Sequence, residues 1–161
     1  MNYALRSLGA RALSSGELRQ KLAVRAERAA DIDAVLGKLK DGGYLDDRRY
    51  AESFASARLE NEGLGRARVL RDLRQRRVAP ALAEQAVKRA FRETDEIQLI
   101  EAYLSRKLRG KDLGSWLADD KNLASAYRRL RYAGFSGGNS IRVLKRYAER
   151  AGELEEGPEP E

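Results

Sequence analysis

The sequence predicts an all-α fold, arranged as an elongated array of three tandem three-helix repeats. Apolar residues recur at intervals of three and four along most of the chain, which is the spacing of amphipathic helices, and no segment shows the alternation typical of a strand. Prolines occur only at positions 80, 158 and 160, so the residue that breaks helices is almost absent from the body of the chain. A chain of 161 residues is long enough to bury a core.

A repeated apolar pattern divides the chain into three units. A leucine in each middle helix is followed by the first apolar residue of the next helix, in the pairs Leu22 and Ile32, Leu73 and Leu82, and Leu130 and Ile141. We expect repeat 1 at residues 1–45, repeat 2 at 46–92, and repeat 3 at 93–151 with an insertion at 110–120. Helical units of this size usually stack on their neighbours to bury their apolar faces, which predicts the array.

Capping residues and glycines predict where the helices begin and end. In repeat 1 we expect a helix from about Tyr3 to Leu13 and a second starting near Ser15, with a cap from the pair Ser14-Ser15 and Glu17 as its capping partner. We expect a third helix capped by Asp31 and ended by Gly42-Gly43. In repeat 2 we expect a cap at Asp46 or Asp47, a break at Gly63-Leu64-Gly65 and a helix start at Pro80. In repeat 3 we expect a cap at Thr94, a stop at Gly134 and a last helix after Ser136.

The charge of the chain favours a polyanionic partner. There are 32 Lys+Arg against 25 Asp+Glu, a net charge of +7, and arginine outnumbers lysine 24 to 8. A guanidinium offers a planar donor fork that suits phosphate or carboxylate, although a GC-rich genome supplies arginine as well. The excess is greatest in the middle, where residues 47–92 carry 12 basic and 6 acidic groups. Residues 152–161 carry five glutamates and no basic group, and we expect them to form an acidic disordered tail.

The composition argues against an enzyme. The chain has no histidine and no cysteine, so it lacks the usual general base, thiolate nucleophile and zinc ligands, and we expect no cofactor and no metal. Asp46 and Asp47 follow a tyrosine and a leucine, a pattern that holds metals in some polymerases, but their position before an amphipathic helix favours helix capping. No signal peptide or apolar span is visible, and we expect a soluble, cytoplasmic monomer that does not bind membranes.

The candidate binding site is the basic helix of repeat 2. On a helical wheel Val69, Leu70 and Leu73 share one face and the arginines lie opposite or on the flanks, with Asp72 as their single acidic neighbour. The two other middle helices carry smaller versions of this face, although solvation alone would also explain exposed arginines. The candidate residues are Arg66, Arg68, Arg71, Arg74, Arg76 and Arg77 in repeat 2, Arg19, Lys21 and Arg25 in repeat 1, and Arg128, Arg129 and Arg131 in repeat 3.

Several motifs, in order along residues 3 to about 149, resemble the RecX family of regulators of the RecA recombinase. They are Ala4-Leu-Arg-x-Leu-x-x-Arg11 with Ser15-x-Glu17-Leu18-x-x-Lys21-Leu22, then Gly43-Tyr44-Leu45-Asp46-Asp47-x-Arg49-Tyr50-Ala51-x-x-Phe54, then Gly65-x-x-Arg68-Val69-x-x-Asp72-Leu73. In the family the middle helix of the second repeat usually ends in Lys-Gly-Ile or Lys-Gly-Val. Here Arg76-Arg77-Val78 has no glycine, so the residues do not predict a left-handed cap.

The resemblance implies a non-enzymatic role. It implies binding in the groove of the RecA–DNA filament, inhibition of strand exchange and of ATP hydrolysis, and restraint of homologous recombination, DNA repair and the SOS response. The expected partners are the RecA filament and, through the basic face, single- and double-stranded DNA without sequence preference. Two alternatives stay open from the residues themselves: a sequence-independent DNA-binding protein, and an α-repeat adaptor for an acidic protein.

The aromatic residues are expected in the core. Tyr50, Phe54, Tyr103, Tyr127, Phe135 and Tyr147 lie at helical spacing, which favours packing over base stacking. Trp116 lies in the insertion, where packing with Leu113 and Leu117 is the preferred interpretation and stacking on an unpaired base the alternative.

Overall fold

The structure of the protein, a computed structural model, describes residues 1–154. All regular secondary structure in this range is helical. The α-helices are α1 Asn2–Ala10, α2 Ser15–Ala23, α3 Ala29–Asp41, α4 Asp47–Ala57, α5 Arg66–Gln75, α6 Pro80–Ala90, α7 Glu96–Lys107, α8 Leu113–Leu117, α9 Asp120–Tyr132 and α10 Gly137–Lys145. A π-helical turn, Arg58–Glu62, follows α4, and a 3₁₀ helix, Glu149–Glu153, follows α10. The predicted all-α class is confirmed, with α8 in the insertion.

The chain divides into two compact units. The first contains Met1–Ser56 and Asp72–Ala90, and the second contains Ala57–Arg71 and the chain from Phe91 onward. Helix α5 therefore begins in the second unit and ends in the first. The predicted acidic tail begins inside the 3₁₀ helix, and its residues 155–161 lie outside the described part of the chain.

The core of the first unit includes the apolar faces of α1, α2 and α3. Leu18, Leu36 and Leu39 are at most 3% exposed, and Leu13 and Leu45 are buried from the segments that follow α1 and α3. Burying one such side chain contributes about 1.5–3 kcal/mol. In the second unit, Ile100, Leu104, Leu130 and Leu144 from α7, α9 and α10 are buried in the same way.

Helix α2 begins at Ser15, as predicted, and two other helices begin at residues other than the predicted ones. Of the pair Ser14-Ser15, Ser14 caps α2: its Oγ accepts from the Glu17 N–H at 3.1 Å, and the Glu17 carboxylate accepts from the Ser14 N–H at 3.0 Å. Asp95, not Thr94, caps α7, because its carboxylate accepts from two N–H groups of the first turn. Helix α3 begins at Ala29, two residues before Asp31, which was predicted to cap it.

At the start of α3 the N-cap is Arg28, and no side chain caps it. Asp31 lies in the first turn, where its carboxylate accepts hydrogen bonds from the Arg28 side chain. Its negative charge also interacts favourably with the positive end of the helix dipole. Asp46 does cap α4 by accepting from the Arg49 N–H at 3.0 Å, as one of the two predicted alternatives. Asp119 caps α9 by the same kind of contact.

Three helices end in the same left-handed motif. The C′ residues are Gly43 after α3, Arg77 after α5 and Gly134 after α9, with φ of 77°, 59° and 93°. In each case the next N–H reaches back to a carbonyl of the last turn, in the pairs Tyr44 to Leu39, Val78 to Leu73 and Phe135 to Leu130. The left-handed cap that the sequence Arg76-Arg77-Val78 did not predict is therefore present, with an arginine in the position that favours glycine.

Two of these helix ends receive the start of another helix. In the first unit the Ser14 hydroxyl donates to the Arg76 carbonyl, and Gly16 lies against Arg77, where an added Cβ would stand 2.6 Å from the Arg77 Cβ. In the second unit the Gly65 N–H donates to the Ala133 carbonyl at 2.8 Å, and the Ala67 N–H donates to the Gly134 carbonyl at 3.3 Å. The same docking of helix start on helix end thus occurs in both units.

Candidate nucleic-acid and partner interface

Two of the predicted arginines converge on one tyrosine. In the second unit the guanidinium carbons of Arg68 and Arg71 lie 4.6 and 4.9 Å from the centre of the Tyr132 ring. Both guanidinium groups also donate to the Tyr132 carbonyl oxygen, at 3.5 and 3.3 Å. That oxygen belongs to the last turn of α9, which carries the negative end of the helix dipole, so the arginines also satisfy the helix end.

Other arginines of α5 and its C-cap have partners within their own unit. In the second unit Arg66 donates to the Phe91 carbonyl at 3.1 Å. In the first unit Arg76 lies 3.5 Å from the Glu17 carboxylate, and Arg77 donates to the Gln20 amide oxygen at 2.9 Å. Arg74 is exposed. The predicted basic face thus contains side chains that hold the fold as well as side chains open to a partner.

Arg68 also lines a cationic cleft in the second unit, with a volume of about 370 Å³. Arg106 and Lys107, from the end of α7, lie over the Tyr103 ring at 5.6 and 5.7 Å and line the same cleft. The Arg106 guanidinium donates to the Glu62 carbonyl at 2.6 Å, which fixes its position. We call this set, Arg68, Tyr103, Arg106, Lys107 and Tyr132, the tyrosine cleft.

A second cationic cleft, of about 550 Å³, lies in the first unit between α1 and α2. The predicted residues Lys21 and Arg25 line it, and they are joined by Arg6 and Arg11. The Arg25 guanidinium lies 4.1 Å from the centre of the Tyr3 ring. Arg19, the third predicted residue of repeat 1, is absent from the lining and forms an exposed ion pair with Asp33 at 2.6 Å. We call this site the α1–α2 cleft.

Hydrogen bonding in the α1–α2 cleft favours ionised groups. The Arg25 side chain lowers the pKa of the Tyr3 hydroxyl by hydrogen bonding to it. Burial raises the pKa of the nearby Glu17, but hydrogen bonds from the Ser14 N–H and from Arg11 outweigh burial and lower it overall. Arg25 and Arg11, which line the cleft, thus already hydrogen bond to Tyr3 and to the neighbouring Glu17.

The predicted residues of repeat 3 lie at the end of α9. Arg128 and Arg129 are exposed, whereas Arg131 is half-buried and donates to the Phe135 carbonyl at 3.1 Å. Arg131 thus satisfies a carbonyl just after the helix.

The aromatic residues differ in burial. Tyr103 and Phe135 are buried and meet edge to face with their centres 5.5 Å apart, while Tyr50, Phe54, Tyr127 and Tyr147 are half-buried. Trp116 is also half-buried, with Lys111 over its ring at 5.1 Å. Tyr132, which was not among the predicted aromatic positions, is 64% exposed.

Sequence reasoning missed Arg6, Arg11, Arg106, Lys107 and Tyr132. The signal for Tyr132 was present, since a residue two positions after the buried Leu130 lies about 200° around the helix and so faces away from the core. Arg106 and Lys107 resemble the cations that commonly end a helix, and Arg6 and Arg11 become part of a cleft only once α1 packs on α2.

Groups typical of metal catalysis are not assembled in the described residues, which contain no cluster of three or more potential metal-ligating carboxylates. The Asp47 carboxylate, the candidate from the polymerase-like pattern, accepts hydrogen bonds from the Ser15 N–H and hydroxyl at 2.7 and 3.0 Å. No helix within residues 1–154 is both long and apolar enough to cross a membrane.

Two family models match consecutive segments of the chain. The first three-helix domain of RecX matches residues 1–39, and the second three-helix domain of RecX matches residues 46–87. The chain belongs to the RecX family. The matched segments contain the basic residues of α2 and α5, so both clefts take residues from domains that define RecX.

Named relatives extend the match. The regulatory protein RecX of Vibrio parahaemolyticus is 35% identical over 120 residues, which cover 74% of this chain and 73% of the relative. The regulatory protein RecX of Deinococcus radiodurans is 31% identical over 150 residues, which cover 91% of this chain and 67% of the relative. The similarity to RecX thus continues into the third repeat, and the chain has the regulatory role for which these relatives are named.

Solved structures support the fold. The crystal structure of RecX from Lactobacillus salivarius superposes with a TM-score of 0.66 at 18% identity, covering 91% of this chain and 92% of that chain. A second crystal structure of a regulatory protein RecX gives a TM-score of 0.65 at 18% identity, covering 88% of this chain and 68% of that one. The helical repeat arrangement predicted from the sequence is the RecX arrangement.

Proposed function

We propose that this protein regulates the RecA recombinase by binding in the groove of the RecA–DNA filament, where it limits ATP hydrolysis, strand exchange and filament growth during homologous recombination and DNA repair. Membership of the RecX family supports this proposal, because its relatives are named regulatory proteins. The absence of histidine and cysteine from the sequence agrees with action by binding rather than by chemistry.

The observation that carries the proposal is the presence of a cationic cleft in each unit. The α1–α2 cleft is lined by four cations, Arg6, Arg11, Lys21 and Arg25, with no carboxylate among its lining residues. The tyrosine cleft is lined by Arg68, Arg106 and Lys107, against one carboxylate, Glu62, which already pairs with Arg58 at 2.6 Å. Guanidinium groups held in this way suit phosphate oxygens and acidic protein surfaces.

A filament offers both kinds of acceptor. Long-range charge attraction brings the protein to the filament, and the shape of the groove selects this partner from other polyanions. Once bound, the protein clamps neighbouring recombinase subunits, so the movements that accompany hydrolysis and subunit addition become unfavourable. It also occupies space that a second DNA molecule needs, and strand exchange slows for that reason.

The proposal is tested by the DNA-dependent ATPase of the cognate RecA on single-stranded DNA. Protein added below the concentration of recombinase is expected to depress the steady-state rate and to co-sediment with the filaments. An unchanged rate, measured where the filament is saturated with nucleotide and DNA, would contradict the proposal.

Sequence-independent DNA binding is a second candidate, favoured by the exposed aromatic ring and arginines of the tyrosine cleft. About five phosphate contacts on a duplex would give a slope of log K against log salt of roughly −4 to −5. Tight binding to naked DNA, with no effect on the ATPase of the recombinase, would support this candidate over filament regulation.

A further inference from the structure

We infer that the tyrosine cleft holds an unpaired nucleotide of single-stranded DNA, with the base stacked on the Tyr132 ring and the adjacent phosphates bound by Arg68, Arg106 and Lys107. The inference rests on the proposed function in one respect, namely that DNA is the nucleic acid the protein meets. It adds to that proposal a defined ligand, an unpaired base, and a site within one unit.

Tyr132 is exposed to solvent at the end of α9. Tyr132 is 64% exposed, although it directly precedes three buried residues, Ala133, Gly134 and Phe135. An aromatic ring left in water forgoes the free energy of burial, and a planar apolar face beside cations is what a nucleic-acid base stacks on.

Two arginines hold Tyr132 in place. Arg68 and Arg71 lie within 5 Å of the ring centre and donate to the same carbonyl oxygen, that of Tyr132 itself. With both guanidinium groups in place, Tyr132 is still 64% exposed, so part of its surface stays open beside them. A ring that is already oriented loses little conformational entropy when a base stacks on it.

Positive charge surrounds Tyr132 in the cleft. Arg68, Arg106 and Lys107 line the same cleft as Tyr132, and Arg106 is fixed by its 2.6 Å hydrogen bond to the Glu62 carbonyl. The Glu62 carboxylate is paired with Arg58, so it does not cancel the cations of the cleft. A base platform next to several phosphate-binding cations is the arrangement of single-strand binding sites.

The combination selects unpaired over paired DNA. Both forms present phosphates, but in a duplex each base is covered by its neighbours, and its face is not available to a protein ring. Stacking on Tyr132 therefore adds binding energy only for a single strand. Because every base has a face, the site is expected to show little sequence preference.

The experiment compares two oligonucleotides of equal length and charge, a fluorescent oligo-dT and the same strand with abasic sites in place of thymidines. The full-length protein is expected to bind oligo-dT roughly 5- to 150-fold more tightly, the range for stacking of one base. Tyr132→Ala should abolish this preference and Tyr132→Phe should keep it. Tyr44→Ala is the matched control, because the Tyr44 ring is 65% exposed in the first unit, and it should leave the preference unchanged.

Two results would overturn the inference: equal affinity of the wild-type protein for both strands, or a preference that survives in a folded Tyr132→Ala protein. Cross-linking of wild-type protein to DNA containing 5-iododeoxyuridine avoids dependence on any variant, and the cross-link is expected at Tyr132. Cross-links confined to other residues would also overturn it. Neither assay contains recombinase, so failure here is distinguishable from failure of the ATPase test of the proposed function.

Discussion

Replacement of Gly134 by alanine tests how the second unit positions its arginines. Gly134 has φ of 93°, and a Cβ added to it would stand 2.6 Å from the Arg68 Cβ and 2.8 Å from the Gly65 carbonyl oxygen. Gly43 is the matched control, because it occupies the same position of a left-handed motif, with φ of 77° and no atom within 4 Å of an added Cβ.

Both substitutions place an alanine in the left-handed region of backbone conformation, but only the Cβ of Gly134→Ala would overlap neighbouring atoms. Alanine in the left-handed region costs about 1–2 kcal/mol, and the reduced freedom of the unfolded chain returns about 0.4–1 kcal/mol. Gly43→Ala is therefore expected to destabilise by about 1 kcal/mol. Overpacking against backbone atoms adds about 1–3 kcal/mol, so Gly134→Ala is expected to cost about 2–4 kcal/mol.

The assay is urea unfolding followed by circular dichroism at 222 nm. With a slope of about 2 kcal/mol per molar urea, the midpoint should fall by about 1–2 M for Gly134→Ala and by about 0.5 M for Gly43→Ala. Equal losses in the two variants would refute the reasoning, since they would show that the close approach of α5 and α9 does not constrain the chain.

Three further predictions concern hydrogen bonds and pH. Ser14→Ala removes the cap of α2 and the hydrogen bond to the Arg76 carbonyl, so it should lower the free energy of unfolding by about 1–2 kcal/mol. The control Ser105→Ala, at an exposed site of α7, should change the free energy of unfolding little. The pKa of Glu17 is lowered in the folded protein, so its contribution to stability is present above pH 4.5 and is lost as the pH falls through the folded-state pKa. When urea midpoints are measured at decreasing pH, the stability of Glu17→Gln should fall less steeply in this range than that of wild type. The Tyr147 hydroxyl donates to Glu101 at 2.7 Å, and this bond raises the pKa of Tyr147. The contribution of the bond to the free energy of unfolding is therefore present below pH 10 and is lost above it. The stability of Tyr147→Phe should decline less steeply than that of wild type as the pH rises above 10.

Local patterns in the sequence predict the helices well, because each depends on residues close together in the chain. Leu18 and Leu22, four positions apart, are both buried, and Gly42-Gly43 ends α3 as the conformational freedom of glycine requires. The cap of α7 lies one residue after the predicted Thr94, where two neighbouring side chains were both suitable, whereas α3 begins after Arg28 without any side-chain cap.

Features that depend on distant residues were not predictable. Arg71 meets Tyr132 across 61 positions of sequence, so its role at the end of α9 appears only in the folded unit. Arg77 adopts a left-handed conformation without being glycine, because Val78 is buried and its N–H bonds to Leu73 across the helix end. Packing beyond the local turn overrides the preference of the residue at that position.

The most direct test of filament regulation compares ATPase inhibition by wild-type protein with that by a variant in which Arg68, Arg71 and Arg74 are changed to glutamate. The matched control reverses the same number of charges at three exposed arginines, Arg28, Arg48 and Arg150, which are 78%, 69% and 63% exposed. We expect that at least about tenfold more of the first variant, folded by circular dichroism, is needed for half-inhibition, and that the control inhibits like wild type. Superimposable inhibition curves for wild type and the first variant would contradict this expectation.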